Sequence, residues 1–330
     1  MKKFAERRDL VEQPIGLGLA ALGRPGYINL GHGDDLAAGY DVAQMEAQAH
    51  RMLDAAWAAG VRYFDAARSY GRAEAFLGSW LMARSIDPAT VLIGSKWGYT
   101  YTADWAVNLP AGQKHEVKEH SLPVLQRQIA ESRALLEDYL ALYQIHSATL
   151  DSGVLSNTAV LRELANLRNS GLAIGLSVSG TQQSETIWQA LAVQFDGEPL
   201  FASVQATWNV LEQTATAALE AAHEVGLWVI VKEGVANGRL TPRNPDLAQK
   251  AQLQKLAAEN NTTIDALALA AVVNQPFVDM VLSGAAQRDH LVSNLGALDV
   301  VWNGRLADTV AMLAEPTVQY WQTRSQLAWN

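Results

Sequence analysis

The stretch Gly60-Val61-Arg62-Tyr63-Phe64-Asp65-Ala66-Ala67-Arg68-Ser69-Tyr70-Gly71-Arg72-Ala73-Glu74-Ala75-Phe76-Leu77-Gly78 changes periodicity halfway along. Val61–Asp65 is rich in β-branched and aromatic residues and reads as a strand. Ala66–Gly71 makes a tight loop, and the Ala/Leu-rich run near Ala73–Ala83 reads as a helix. Working outward, the same rhythm recurs along the chain. Further strands are expected near Ile15–Leu19, Val91–Lys96, Leu140–His146, Leu172–Ser177, Ser203–Thr207, Leu227–Lys232 and Asp279–Ser283. Further helices are expected near Gln44–Ala59, Pro123–Asp138, Thr158–Asn169, Glu185–Val193, Thr214–Val225, Ile264–Val273 and Asp289–Leu298. Gly60, Gly171 and Gly226 stand where a helix C-cap favours a left-handed residue.

Alternating βα units bury their strands in a parallel sheet, and eight such units close into a (β/α)8 TIM barrel. An open doubly wound sheet is the rival, and it would want a G-x-G-x-x-G turn after the first strand. Gly16-Leu17-Gly18-Leu19-Ala20-Ala21-Leu22-Gly23 has the wrong spacing. The expected architecture is therefore α/β: a single-domain barrel over residues 1–330. It carries long C-terminal-face loops at Ala20–Val42, Trp97–Leu122 and Glu233–Thr263 and a C-terminal extension at 300–330.

Composition narrows the function. The chain has 330 residues, 49% hydrophobic and 18% charged, enough for one large core and far from a disordered composition. Lys and Arg number 25 against 34 Asp and Glu, a net charge of -9 that argues against nucleic-acid or anionic-membrane partners. The absence of cysteine excludes disulfides, thiolate metal sites, iron–sulfur clusters and cysteine nucleophiles. No apolar run approaches the ~18 residues of a membrane span. The N-terminus turns charged where a signal peptide would be apolar, so a cytoplasmic protein is expected. No metal-binding spacing, P-loop or G-x-S-x-G elbow is present. Nothing in the sequence speaks to oligomeric state.

A barrel enzyme works from the C-terminal ends of its strands. Strand two ends in Asp65, strand three in Lys96 and strand four in His146, with Tyr70 in the loop after Asp65. Taken singly, each has an ordinary structural role: a loop cap, a solvated strand end, a hydrogen-bonded histidine, a packed ring. Four at one barrel face suit proton donation to a carbonyl. A phenol is too weak an acid at about pKa 10, and a neighbouring ammonium, held by a carboxylate, lowers it. None of the four is a redox centre, so a reduction would need a cofactor to bring hydride.

The stretch Gly60–Gly78 closely resembles the signature of the aldo-keto reductase family. Gly94-Ser95-Lys96-Trp97-Gly98 and Tyr143-Gln144-Ile145-His146 match the next two landmarks in order. The resemblance implies a barrel that binds NADPH, with NADH as an alternative, across its C-terminal face. It also implies Tyr70 as general acid, Lys96 lowering its pKa, Asp65 pairing Lys96 and His146 orienting the carbonyl. Of the cofactor landmarks, Ser177 is kept but followed by Val178, and Gln205 and Asn209 match around Trp208. After strand seven, Lys232-Glu233-Gly234-Val235 replaces the usual aromatic-Ser-Pro-Leu, although Gly238 and Leu240 align. That change removes a ring expected to stack on nicotinamide and puts a Glu where the pyrophosphate is approached. In the last unit Gly284 and Asn294 are kept, while Ala286, His290 and Ser293 replace the family's Arg, Gln and Glu. Arg288, with Arg239 and Arg243 across the mouth, is then expected to carry a preference for the 2′-phosphate. Trp97, Trp105 and Trp208, near loop positions, are candidate walls for a sugar-like or ring substrate.

The expected activity is NAD(P)H-dependent reduction of an aldehyde or ketone to an alcohol, or the reverse, on a small-molecule substrate. Two alternatives stand beside it: a nucleotide-sensing subunit with vestigial catalysis, and an aldolase using Lys96 as Schiff-base former.

Overall fold

The computed structural model describes residues 2–36 and 40–330. Eight parallel strands close into a barrel: β1 (Ile15–Gly18), β2 (Tyr63–Asp65), β3 (Leu92–Trp97), β4 (Leu140–Ala148), β5 (Ala173–Val178), β6 (Ser203–Thr207), β7 (Trp228–Lys232) and β8 (Met280–Ser283). Each strand neighbours the next in sequence, and the pairing of Ile15 with Val281 shuts the ring. The strands are apolar along most of their length because helices cover one side and the barrel interior fills the other. Every helix expected from periodicity is present, within a few residues at its ends. This is a (β/α)8 barrel.

Side chains two apart on a strand share a face, so each strand sends alternate residues inward. Tyr63, Leu92, Leu142, Ala173, Trp228, Ile230 and Met280 form an inner cluster at or near the N-terminal ends of their strands. A short helix, Lys2–Arg8, supplies Phe4 to that cluster, edge-on to Trp228 at 5.7 Å between ring centroids. Arg7 ties this helix down by donating to the carbonyls of Asp138 and Tyr139 at 3.0 Å each. That end of the barrel is therefore sealed with apolar packing, leaving the C-terminal end for chemistry.

Two elements in the long loops escaped the sequence reading. Tyr99–Tyr101 pairs antiparallel with Glu116–Lys118 in the loop after β3, and Lys250–Glu259 is an extra helix after β7. The hairpin strands are three residues long and half exposed, so periodicity gives them no signal. The C-terminal extension forms helices Gly304–Ala311 and Thr317–Ser325, and its last residues return to the barrel mouth. No helix among the described residues is long and apolar enough to cross a membrane.

Candidate active site

A cavity of about 580 Å³ opens at the C-terminal face. At its floor Asp65 points inward two residues above Tyr63, at 1% exposure, with Lys96, also at 1%, beside it on β3. The Lys96 ammonium donates to Asp65 Oδ1 and, at 3.0 Å, to the carbonyl of Ala66. Asp65 Oδ2 accepts from the Tyr63 hydroxyl and the Gln205 amide at 2.9 Å, and from the Gln144 amide at 3.3 Å. Both oxygens of the carboxylate are thus occupied, which is how a buried ion pair avoids a large desolvation cost. Gly94 makes this possible: a Cβ there would sit 2.6 Å from the Tyr63 hydroxyl.

Tyr70 and His146 face the cavity above this pair. The Tyr70 ring lies 5.0 Å from the Lys96 ammonium and meets His146 edge-on at 5.5 Å. Tyr99, from the hairpin, packs on the other side of His146 at 4.9 Å. Burial holds His146 well below the ordinary histidine range, and the charges of Lys96 and Arg24 push the same way. The Tyr70 phenol moves opposite to the expectation. Burial, then the Asp65 charge, raise its pKa, and the cation that counters them is Arg24 rather than Lys96. Lys96 is committed to Asp65, so its charge is largely cancelled as seen from the phenol.

The other expected residues divide. Gln205, Lys232, Gly284 and Asn294 line the cavity. Lys232 donates to Thr207 Oγ1 at 2.7 Å, and burial pulls its pKa down to about 8 against the opposing pull of Glu233. Ser177 is fully buried outside the lining, where its hydroxyl accepts from the Ser147 amide at 2.8 Å and joins β5 to β4. Arg239 pairs with Glu315 at 2.5 Å and anchors the β7 loop to the extension, away from the cavity. Arg288 is exposed at the start of its helix, outside the lining, because its side chain falls on the solvent face. Trp97, Trp105 and Trp208 also lie outside it. Trp97 is wholly buried, Trp105 packs on Phe76, and Trp208 donates to Thr216 Oγ1 at 2.9 Å.

Residues that the sequence did not single out take their places. Arg24, at 2% exposure, donates to the Ser69 carbonyl at 2.9 Å and Glu116 Oε2 at 2.8 Å, with its guanidinium over the Tyr70 and Trp329 rings. Arg324, from the extension, donates to Glu233 from Nε at 2.9 Å and from Nη2 at 2.5 Å. Burial alone would raise the Glu233 carboxyl, yet Arg324 and then Lys232 hold it down to about 2. The Glu233 charge is therefore balanced largely by the tail. The signal that could have found Arg24 is its position in a long loop on the active face; Arg324 lies about 90 residues from Glu233, beyond any local pattern. Among the described residues no cluster of three or more His, Cys, Asp or Glu could hold a metal ion.

The fold is a (β/α)8 barrel whose C-terminal mouth holds a phenol, Tyr70, above the paired Lys96 and Asp65. The aldo/keto reductase family model matches residues 14–309, and the chain belongs to that family. It is 23% identical over 329 residues to the aldo-keto reductase str7 of Strobilurus tenacellus, covering 91% of this chain and 87% of that one. The fold is similar to aldo-keto reductase AKR11C1 from Bacillus halodurans in its holo form, with TM-score 0.67, 20% identity and 92% of each chain covered. It is also similar to an aldo/keto reductase from Klebsiella pneumoniae in complex with NADP and acetate, with TM-score 0.64, 23% identity, and 91% and 90% of the two chains covered.

Proposed function

We propose that the chain reduces an aldehyde or ketone to an alcohol, or runs the reverse, with a nicotinamide dinucleotide and with Tyr70 as the proton donor. The observation that carries this is the Tyr70 hydroxyl at the cavity wall, flanked by neutral His146 and backed by the Lys96–Asp65 pair. A bound dihydronicotinamide supplies the hydride that the protein side chains lack. His146 hydrogen-bonds the carbonyl oxygen and fixes its lone pair toward the phenol. Tyr70 then gives its proton to that oxygen as the carbon is reduced, leaving a phenolate that Arg24 stabilises. In the reverse direction the same oxygen takes the alcohol proton back.

The cavity suits a dinucleotide in extent and in chemistry. It runs from Tyr70, after β2, and His146, near the end of β4, to Gly284 and Asn294, after β8. Gly284 borders open space, since a Cβ there would meet no atom within 4 Å. Lys232 and Arg324, which line the cavity, would be the cations for its phosphates. NADPH was the expected cofactor; Arg288, expected to favour it, is exposed and lies outside the cavity lining.

Neither alternative gains a supporting observation. Schiff-base chemistry needs an accessible neutral amine, whereas Lys96 is buried and donates to two acceptors. A sensor without turnover has no need for the whole group of four. The test is loss of absorbance at 340 nm with a panel of carbonyl compounds and sugars, run with NADPH and NADH. Turnover abolished by Tyr70→Phe supports the reading. Tight cofactor binding with no turnover on any carbonyl returns the sensor, and borohydride trapping of substrate on Lys96 returns the aldolase.

A further inference from the structure

We infer that the far end of this cavity is built for a ribose with a free 2′-hydroxyl, so that the chain prefers NAD(H) to NADP(H). The inference rests on the nicotinamide reading above. A dinucleotide that delivers hydride beside Tyr70 must extend along the cavity, and the charged part of its lining that makes no contact with Tyr70, His146 or Lys96 is where segments after β7 and β8 meet Asp35. There the lining carries two carboxylates, Asp35 and Asp265, one guanidinium, Arg243, and the imidazole of His290.

A 2′-phosphate brings between one and two negative charges and needs free, fixed donors. Arg243 is not free. Its Nη1 donates to Asp35 Oδ2 and to the Gly31 carbonyl, each at 2.9 Å. Its Nη2 donates to Asp35 Oδ1 and lies 3.0 Å from His290 Nε2. All four Nη hydrogens therefore have partners inside the protein. Among the described lining residues the other cations are Arg24, Lys232 and Arg324, which are bound to Glu116, Thr207 and Glu233 nearer the catalytic end.

Asp35 is well held. Its side chain is 4% exposed, and the Gln287 amide donates to its main-chain carbonyl at 2.7 Å. A carboxylate has about four lone-pair sites, so two bonds from Arg243 leave room for ribose hydroxyls. A fixed acid that accepts a 2′-hydroxyl repels a 2′-phosphate at the same point, the discrimination seen wherever an acidic residue reads the ribose.

The test is direct binding. NADH and NADPH are titrated separately into the purified chain, with tryptophan quenching or calorimetry as readout and no substrate present. NADH is expected to bind at least about tenfold tighter. Asp35→Asn releases two donors of Arg243 and removes a repelling charge, so NADPH affinity should rise about tenfold while NADH affinity falls at most a few-fold. Should that variant fail to fold, the double change Asp35→Asn with Arg243→Met serves: it removes both charges, so the NADH preference should shrink with NADPH affinity no lower than in the unaltered chain. NADPH binding tighter than NADH to the unaltered chain, or a selective loss of NADPH in the double variant, overturns this inference and leaves the proposed function standing. Binding of neither dinucleotide overturns both.

Discussion

In the proposed reaction Tyr70 carries the reacting proton, and its surroundings decide when that proton leaves. Because burial and Asp65 raise its pKa, the phenol stays protonated through the physiological range and acts as a donor without becoming a nucleophile. Tyr70→Phe keeps the ring and removes the proton, so kcat should fall at least ~10²-fold, in line with general-acid contributions, with little change in cofactor affinity. Steady-state kinetics with a parallel binding titration measures both. Lys96→Met has a second consequence. It strands the Asp65 carboxylate, 2% exposed, without its counter-charge, so stability should drop by about 3–5 kcal/mol in denaturant unfolding. Equal stability for Lys96→Met and the unaltered chain would mean that Tyr63, Gln144 and Gln205 hold Asp65 without the ammonium. Asp65, Tyr70, Lys96 and His146 were legible in sequence because strand ends and the loop after β2 locate them. Arg24 was not, since a lone Arg in a loop of some twenty residues has no register.

Elements meet at contacts that no single segment specifies. The helix Ala73–Ala83 packs on Leu122–Leu136 through Gly78, where a Cβ would stand 2.2 Å from the Leu135 carbonyl. Gly78→Ala must push these helices apart, at a cost of about 1–3 kcal/mol for overpacking, read as a lower denaturant midpoint. The extension is held to the mouth by Arg324 on Glu233 and by the Asn209 amide donating to the Tyr320 hydroxyl at 2.9 Å. Glu233→Gln leaves Arg324 with a weaker partner. The expected loss is about 2–3 kcal/mol, below that of a fully buried pair because Arg324 is 24% exposed. Limited proteolysis should then cut the tail sooner, and an unchanged cleavage rate would argue that Tyr320 and Trp329 hold it without the ion pair.

At the scale of the whole molecule, buried histidines set the acid limit. Burial lowers His32 and His120 from 6.5 to about 4, and His146 lies well below 6.5 as well. The unfolded chain binds these protons near pH 6.5 while the folded chain refuses them, so stability is full above that pH and declines as pH falls toward 4. Guanidinium midpoints should therefore drop between pH 7.5 and pH 5. His32 is fully buried and edge-on to Tyr27 at 6.0 Å, so His32→Phe keeps the packing and removes the titration. The drop should shrink by roughly 1–2 kcal/mol at pH 5, since each pKa unit corresponds to 1.36 kcal/mol. An undiminished drop would place the pH sensitivity elsewhere.

The barrel itself was written in local order: eight short β-rich runs alternate with eight helical stretches, three of them closed by Gly60, Gly171 and Gly226, and a closed parallel ring buries them all. The floor of the site followed, because alternation along β2, β3 and β4 sends Asp65, Lys96 and the residues beside them to one mouth. What tertiary structure decided was which charges meet. Arg24 with Glu116, Arg324 with Glu233 and Arg243 with Asp35 join segments roughly 90 to 200 residues apart. Arg239 and Arg288, equally plausible in sequence, were drawn to Glu315 and to solvent. The reason is physical. Backbone periodicity is a short-range property, whereas the partner of a charge, and with it the protonation and ligand preference of a site, depends on distances that exist only once the chain has closed on itself.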